Sequence, residues 1–177
     1  MSSTPPSPKM LASVIGMIRL TTERIQATYP DAICVQVNNN DAQVAIPIVY
    51  KLWFTLSTEK CLSIDIRMDS DYGSVYWSKE KIYDKPFSRA VGNLKQCTVD
   101  IFPAYKAIVD KGYPRPVYFC CLYQAVSSAI PEPCYYFTPI DCISNSTSDF
   151  ILVNSVTSEV YMFPPGKGNL PPGFLLG

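Results

Sequence analysis

The chain has 177 residues, 47% of them hydrophobic, and its 15 Lys+Arg balance 15 Asp+Glu. That suits one domain or two small halves around one core, and with no basic block it argues against nucleic-acid binding. Histidine is absent, which removes Ser-His-Asp and Cys-His catalysis, His-held zinc or haem, and imidazole switching.

Residues 1–9 read as a disordered leader without the basic-then-apolar pattern of a secretory signal, so the expected location is cytoplasmic. The apolar run from Leu11 to Ile18 is broken by Ser13 and Gly16 and followed by Arg19; it is too short to span a bilayer. A first helix-plus-strands unit is expected over 10–80. Leu11, Val14, Ile15, Ile18, Thr22 and Ile25 form a helical stripe that Pro30 stops. Three strand-like stretches follow. "AICVQV" comes first; in "VAIPIVYKLWFTLS" the residues Val44, Ile46, Ile48, Tyr50, Leu52, Phe54 and Leu56 share the helix side. In "LSIDIRM", Leu62, Ile64, Ile66 and Met68 point inward, and beyond a polar turn Val75 and Trp77 do the same.

Residues 81–97, the charged segment, read as a connection. A second unit is expected over 98–163. Asp100 caps its helix, Pro103 sits in the first turn, Ile101, Tyr105, Ile108 and Val109 make the stripe, and Gly112 ends it. The strands "VYFCCLY", "CYYFTPI" and "FILVNSVTSEVYM" follow, then a Pro/Gly-rich tail, 164–177, whose end "GFLLG" is apolar.

The two units match in order. Tyr29-Pro30 precedes the first strand of one, Tyr113-Pro114 that of the other. "KLWFTLS" aligns with "CYYFTPI", Asp69-Ser70 with Asn154-Ser155, and Val75-Tyr76 with Val160-Tyr161. Offsets of 83 to 85 throughout point to an internal repeat. Each Asx-Ser is expected to open a turn, because short polar side chains bond the nearby backbone. The fold class expected is α+β: two similar helix-plus-antiparallel-sheet units that can share one core.

Alternation then gives the sheet a second face carrying Trp53, Tyr76, Tyr136, Tyr161, Phe150 and Leu152, beside Asp65 and Arg67. A face so aromatic calls for a cover. The chain itself, a second copy, or a flat organic ligand stacked on the rings and oriented by Asp65, Arg67 and tyrosine hydroxyls are the alternatives. Asp65, Asp69 and Asp71 offer oxygen ligands to a hard cation such as Mg²⁺, but lack the spacing of an EF-hand, and a solvated hairpin turn explains them as well. The seven cysteines contain no Cys-x-x-Cys and read as buried thiols. The Asn145 sequon reads as a turn.

One helix followed by antiparallel strands resembles the cystatin-like and PepSY-like arrangements, in which a sheet wraps a helix. "FILVNSVTSEVYMF" is similar to the PepSY strand, polar turn and valine-rich strand, with Ser158 where that pattern has Gly. The resemblance implies a fold and no activity. The Gln-x-Val-x-Gly loop of inhibitory cystatins is missing, "VQVNN" being the nearest text. A small, tyrosine-rich chain without a signal also resembles the pigment-holding chromoproteins of mushrooms. That resemblance implies a conjugated chromophore held in a homodimer with help from a divalent metal. The expected function is therefore non-catalytic binding of a flat conjugated molecule at or near a homodimer interface, with Trp53, Tyr76, Tyr136, Tyr161, Phe150, Asp65 and Arg67 as its site. The alternative is an inhibitor or adaptor module with no small ligand. An isomerase-like enzyme using Asp65 or Tyr136 is the third reading.

Overall fold

Two helices start from one carboxylate. In the computed structural model, Ser13 caps α1 (Val14–Gln26) by accepting from Gly16 N at 2.9 Å, and Asp100 caps α2 (Ile101–Asp110) by accepting from Ile101 N at 2.7 Å. Asp100 also accepts from Val14 N at 3.0 Å and from the Ser13 hydroxyl. One side chain thus satisfies orphan N–H groups of both helices and lies near the positive end of each dipole. The structure describes residues 13–41, 44, 46–69, 74–113, 116–125, 130–139 and 150–162; the side chains of residues 69, 74 and 162 are outside that description.

Among the described residues ten strands pair antiparallel: β1 (Ile33–Asn39), β2 (Val49–Thr55), β3 (Cys61–Asp69), β4 (Ser74–Trp77), β5 (Lys81–Tyr83), β6 (Ala90–Val91), β7 (Val117–Ala125), β8 (Cys134–Pro139), β9 (Ile151–Asn154) and β10 (Val160–Met162). The main order is β10-β9-β8-β7-β1-β2-β3-β4, with β5 on β3 and β6 on β7. The α+β class and the large antiparallel sheet are therefore as expected. Each half runs helix then four-strand meander, and the halves join where β1 meets β7, with Val37 opposite Leu122.

The junction strands carry matching irregularities. β1 is bulged against β2 between Cys34 and Gln36, and β7 against β8 between Phe119 and Cys121. The extra residues, Val35 and Cys120, are 85 positions apart. The cross-strand pair Arg67–Tyr76 of β3–β4 likewise corresponds to Leu152–Tyr161 of β9–β10 at the same offset. Between β2–β3 and β8–β9 the registers differ, since Trp53 faces Ser63 while Tyr136 faces Leu152. The slide is an even number of residues, so both faces are kept.

The helix-covered core is built from Tyr50, Leu52, Phe54, Leu62, Ile64, Ile66, Phe119, Leu122, Tyr135 and Phe137 under Val14, Ile18, Ile25, Ile101 and Ile108. The first stripe is turned slightly from expectation: Met17 and Thr21 are buried where Ile15 and Thr22 are half-buried. Trp77 explains Thr21, because its indole N–H donates to the Thr21 hydroxyl at 3.0 Å while Arg24 lies over its ring. On α2, Ala104 takes the core position and Val109 is exposed, because a ten-residue helix buries a narrower stripe than its apolar residues suggest. Val44 and Ile48 are exposed too: β2 begins at Val49, beyond Pro47, so alternation does not reach them.

Asn154 opens its turn as expected, accepting from Val156 N at 2.9 Å and Thr157 N at 3.0 Å. The corresponding turn after Asp69 lies outside the described residues, as do the leader and tail. Ser158, where the PepSY pattern has Gly, sits at φ 66°. A side chain there costs about 1–2 kcal/mol against the right-handed region. Ser158→Gly should therefore stabilise the fold by about 0.5–1 kcal/mol, after the extra entropy of an unfolded glycine is discounted. Urea unfolding midpoints of the two chains check this, and a lower midpoint for the variant contradicts it.

Candidate functional site

The bulge at Val35 decides what the second face of the sheet displays. Val35 and Gln36 both reach that side, Gln36 lying between Trp53 of β2 and Tyr123 of β7. Asn38, two residues on, stands between Lys51 and Cys121. Gln36 donates from Nε2 to the Asn38 Oδ1 at 2.6 Å. Its own Oε1 is buried and has no hydrogen-bond partner.

The connection then crosses this face. β5 lies on the outer edge of β3 and β6 on β7, so residues 84–89 pass over β2 and β1. Phe87 stacks on Trp53 with ring centroids 5.1 Å apart and planes at 28°, and Tyr83 tilts against the same indole at 5.4 Å. Ala90 joins Val35, Tyr123 and Ala125 in a second apolar cluster. Gly92, at φ 77°, turns the chain back toward the helix side, where Leu94 is buried under α1. The positive φ is what calls for glycine there, since the nearest neighbour to an added Cβ is the movable Gln124 amide oxygen.

The crossing leaves a cleft of about 320 Å³, lined by Gln36, Asn38, Trp53, Cys61, Lys85, Pro86, Phe87, Ser88 and Arg89. Its size is at the small end of ligand pockets. Neither Lys85 nor Arg89 makes an ion pair among the described residues, and no carboxylate lines the cleft. Lys85 leans over the Tyr83 ring at 5.7 Å.

The residues expected to form one site are divided by this geometry. Trp53 is half-buried and lines the cleft. Asp65 faces Lys51 at 3.5 Å, two strands from Asn38. Arg67 and the exposed Tyr76 pair with each other six residues along β3 from Cys61, about 20 Å away. Tyr136 is 2% exposed and stacked on Tyr123 at 4.7 Å, so its ring is not open to a ligand. Leu152 beside it is fully buried; Phe150 is half-buried, and Tyr161 donates to Glu159 Oε2 at 2.8 Å. The aromatic face is thus where alternation puts it. Over the first half its cover is the connection, a segment read from sequence as a linker. Reading that segment as a linker hides Lys85, Phe87 and Arg89, and the bulge at Val35 hides Gln36 and Asn38. The signal was present in "CVQVNN": Gln36, Asn38 and Asn39 are three polar residues in a strand at the centre of the sheet.

Among the described residues no three Cys, Asp or Glu side chains gather as a metal site; the Asp69 side chain and Asp71 lie outside them. No helix of the described residues is long and apolar enough to cross a membrane. Neither a protein-family model, nor a curated protein, nor a solved structure matches this chain.

Six cysteines in the described residues carry free thiols, four of them buried. Burial pushes the Cys97 thiol up to about 11 and the Cys134 thiol up to about 12, and raises Cys34 further. Burial also lifts the Tyr50 and Tyr136 hydroxyls well above their ordinary value. Each folded pKa lies above its unfolded one, so stability is whole below the unfolded thiol value near 9 and falls as pH rises past it. The urea midpoint should hold from pH 6 to 8 and drop steadily above about pH 9, as the unfolding free energy falls by up to ~1.4 kcal/mol per pH unit for each such group. A midpoint unchanged at pH 10.5 contradicts this burial.

Proposed function

We propose that this chain is a non-catalytic binder of a flat small organic molecule, held in the cleft between β1, β2 and the connection. The observation that carries the reading is the contrast between the two halves of the second face. In the second half Cys121, Tyr123, Tyr136 and Leu152 close it with apolar contacts. At the matching place in the first half stand Gln36, Asn38, Lys51 and Ser63 around Trp53, under a strap that leaves room. A stability role alone favours the sealed version, since buried polar groups cost free energy unless paired. Trp53 and Phe87 give the cleft an aromatic wall suited to a planar ring system.

We also infer that the halves are copies of one unit. The shared element order, the bulges 85 positions apart and the Val37–Leu122 junction support it. In this reading one copy kept an open polar face and the other became a wall. A pigment is one member of the ligand class. A protein partner or second copy is the other reading, favoured by the exposed Tyr76 and Ile82 on the outer strands β4 and β5, where a further strand can add.

Protein isolated from its source without stripping, weighed by native mass spectrometry, should carry a low-mass adduct of one organic molecule per chain. Absorption beyond the protein band, lost on unfolding, would identify it as conjugated. The bare chain mass in fully folded material overturns the reading; a bare homodimer turns it toward the interaction role.

A further inference from the structure

Resting on the cleft as a ligand site, we propose that its ligand is an anion: a planar molecule whose carboxylate is held by Lys85 and Arg89 and whose hydroxyl or N–H donates to Gln36. Three independent features of the same 320 Å³ space agree. First, both lining charges are positive and no acidic side chain answers them. The neighbouring carboxylates are engaged elsewhere, Asp84 with Lys60 and Asp65 with Lys51, each at 3.5 Å. Two cations four sequence positions apart on one strap give an entering anion charge-assisted bonds, and the Arg89 guanidinium can take it in bidentate fashion.

Second, Gln36 is 7% exposed, lines the cleft, and leaves its carbonyl oxygen without a donor. Such an orphan in a central strand is costly to fold around. The terminal amide torsion of glutamine is soft, so this oxygen can swing to meet a donor brought by a ligand. The Nε2 bond to Asn38 restrains the amide while leaving that end unused. Third, Trp53 and Phe87 line the same space and, stacked on each other, give it an aromatic side. The three features together describe an aromatic acid that carries a second polar group.

The test uses the full chain and two probes differing only in charge, 6-hydroxy-2-naphthoate and neutral 6-hydroxy-2-naphthamide, in calorimetric titrations. The naphthoate should bind at one site, lose at least tenfold in affinity in a Lys85→Gln/Arg89→Gln chain, and weaken as salt rises. The amide should bind more weakly and ignore both changes. Trp53→Leu should weaken both probes, which locates them in the cleft. Equal binding of the two probes, or naphthoate binding untouched by the charge substitutions, overturns the anion assignment and leaves the flat-ligand reading standing. Binding that survives Trp53→Leu at full strength places the probe elsewhere and overturns the assignment to this cleft. Failure of both probes to bind the parent chain overturns the assignment and the cleft reading together.

Discussion

The antiparallel pairing of β1 with β7 is the constraint on which the rest depends. With Val37 set against Leu122, two four-strand meanders become one sheet, and both helices are brought to one side of it. Asp100, the cap of α2, also accepts from Val14 N beside the Ser13 cap of α1 and so ties the two helix starts together. The pairing also fixes the opposite face. Because residues directly opposite each other on paired strands share a face, joining the halves in this register places Gln36, Tyr123, Trp53 and Tyr136 together on the side opposite the two described helices.

A one-layer sheet with helices on a single side leaves that face to be protected. The first half uses its own chain: the segment after β5 climbs across β2 and β1, seats Phe87 on Trp53, pairs at β6 and returns through Gly92 to the helix layer. The second half uses side-chain composition, with Tyr136 stacked on Tyr123 beside the buried Leu152. The strap therefore does two things at once. It shields an indole that would otherwise face water, and it carries Lys85 and Arg89 over a pair of amides. A buried Gln36 oxygen without a donor costs about 1–3 kcal/mol, and the strap is where a compensating partner can enter.

The fold was legible to the extent that periodicity controls it. Helical spacing located α1 and α2, the Asp100 cap and the Gly112 stop; alternation assigned Tyr50, Leu52 and Phe54 to one face and Trp53 to the other. Alternation failed where backbone irregularities intervene. Pro47 ended the run that was to include Val44 and Ile48, and nothing in "AICVQV" announces that Val35 is an extra residue. The site suffered most from this. Its floor depends on a bulge, and its roof on a charged segment whose course is set by tertiary pairing at β5 and β6 rather than by local pattern. Repetition misled in one respect as well: matching Tyr136 to Trp53 was sound for the face, yet one ring is sealed by Tyr123 and the other borders open space.

The most direct test of the strap lying over the second face reads Trp53 alone, in a chain whose other tryptophan is removed by Trp77→Phe. Stacking under Phe87 predicts blue-shifted emission and little quenching by acrylamide, with Phe87→Ala moving the emission red and opening the indole to the quencher. Emission and quenching indifferent to Phe87→Ala would mean that the connection does not cover Trp53, and the cleft would not exist.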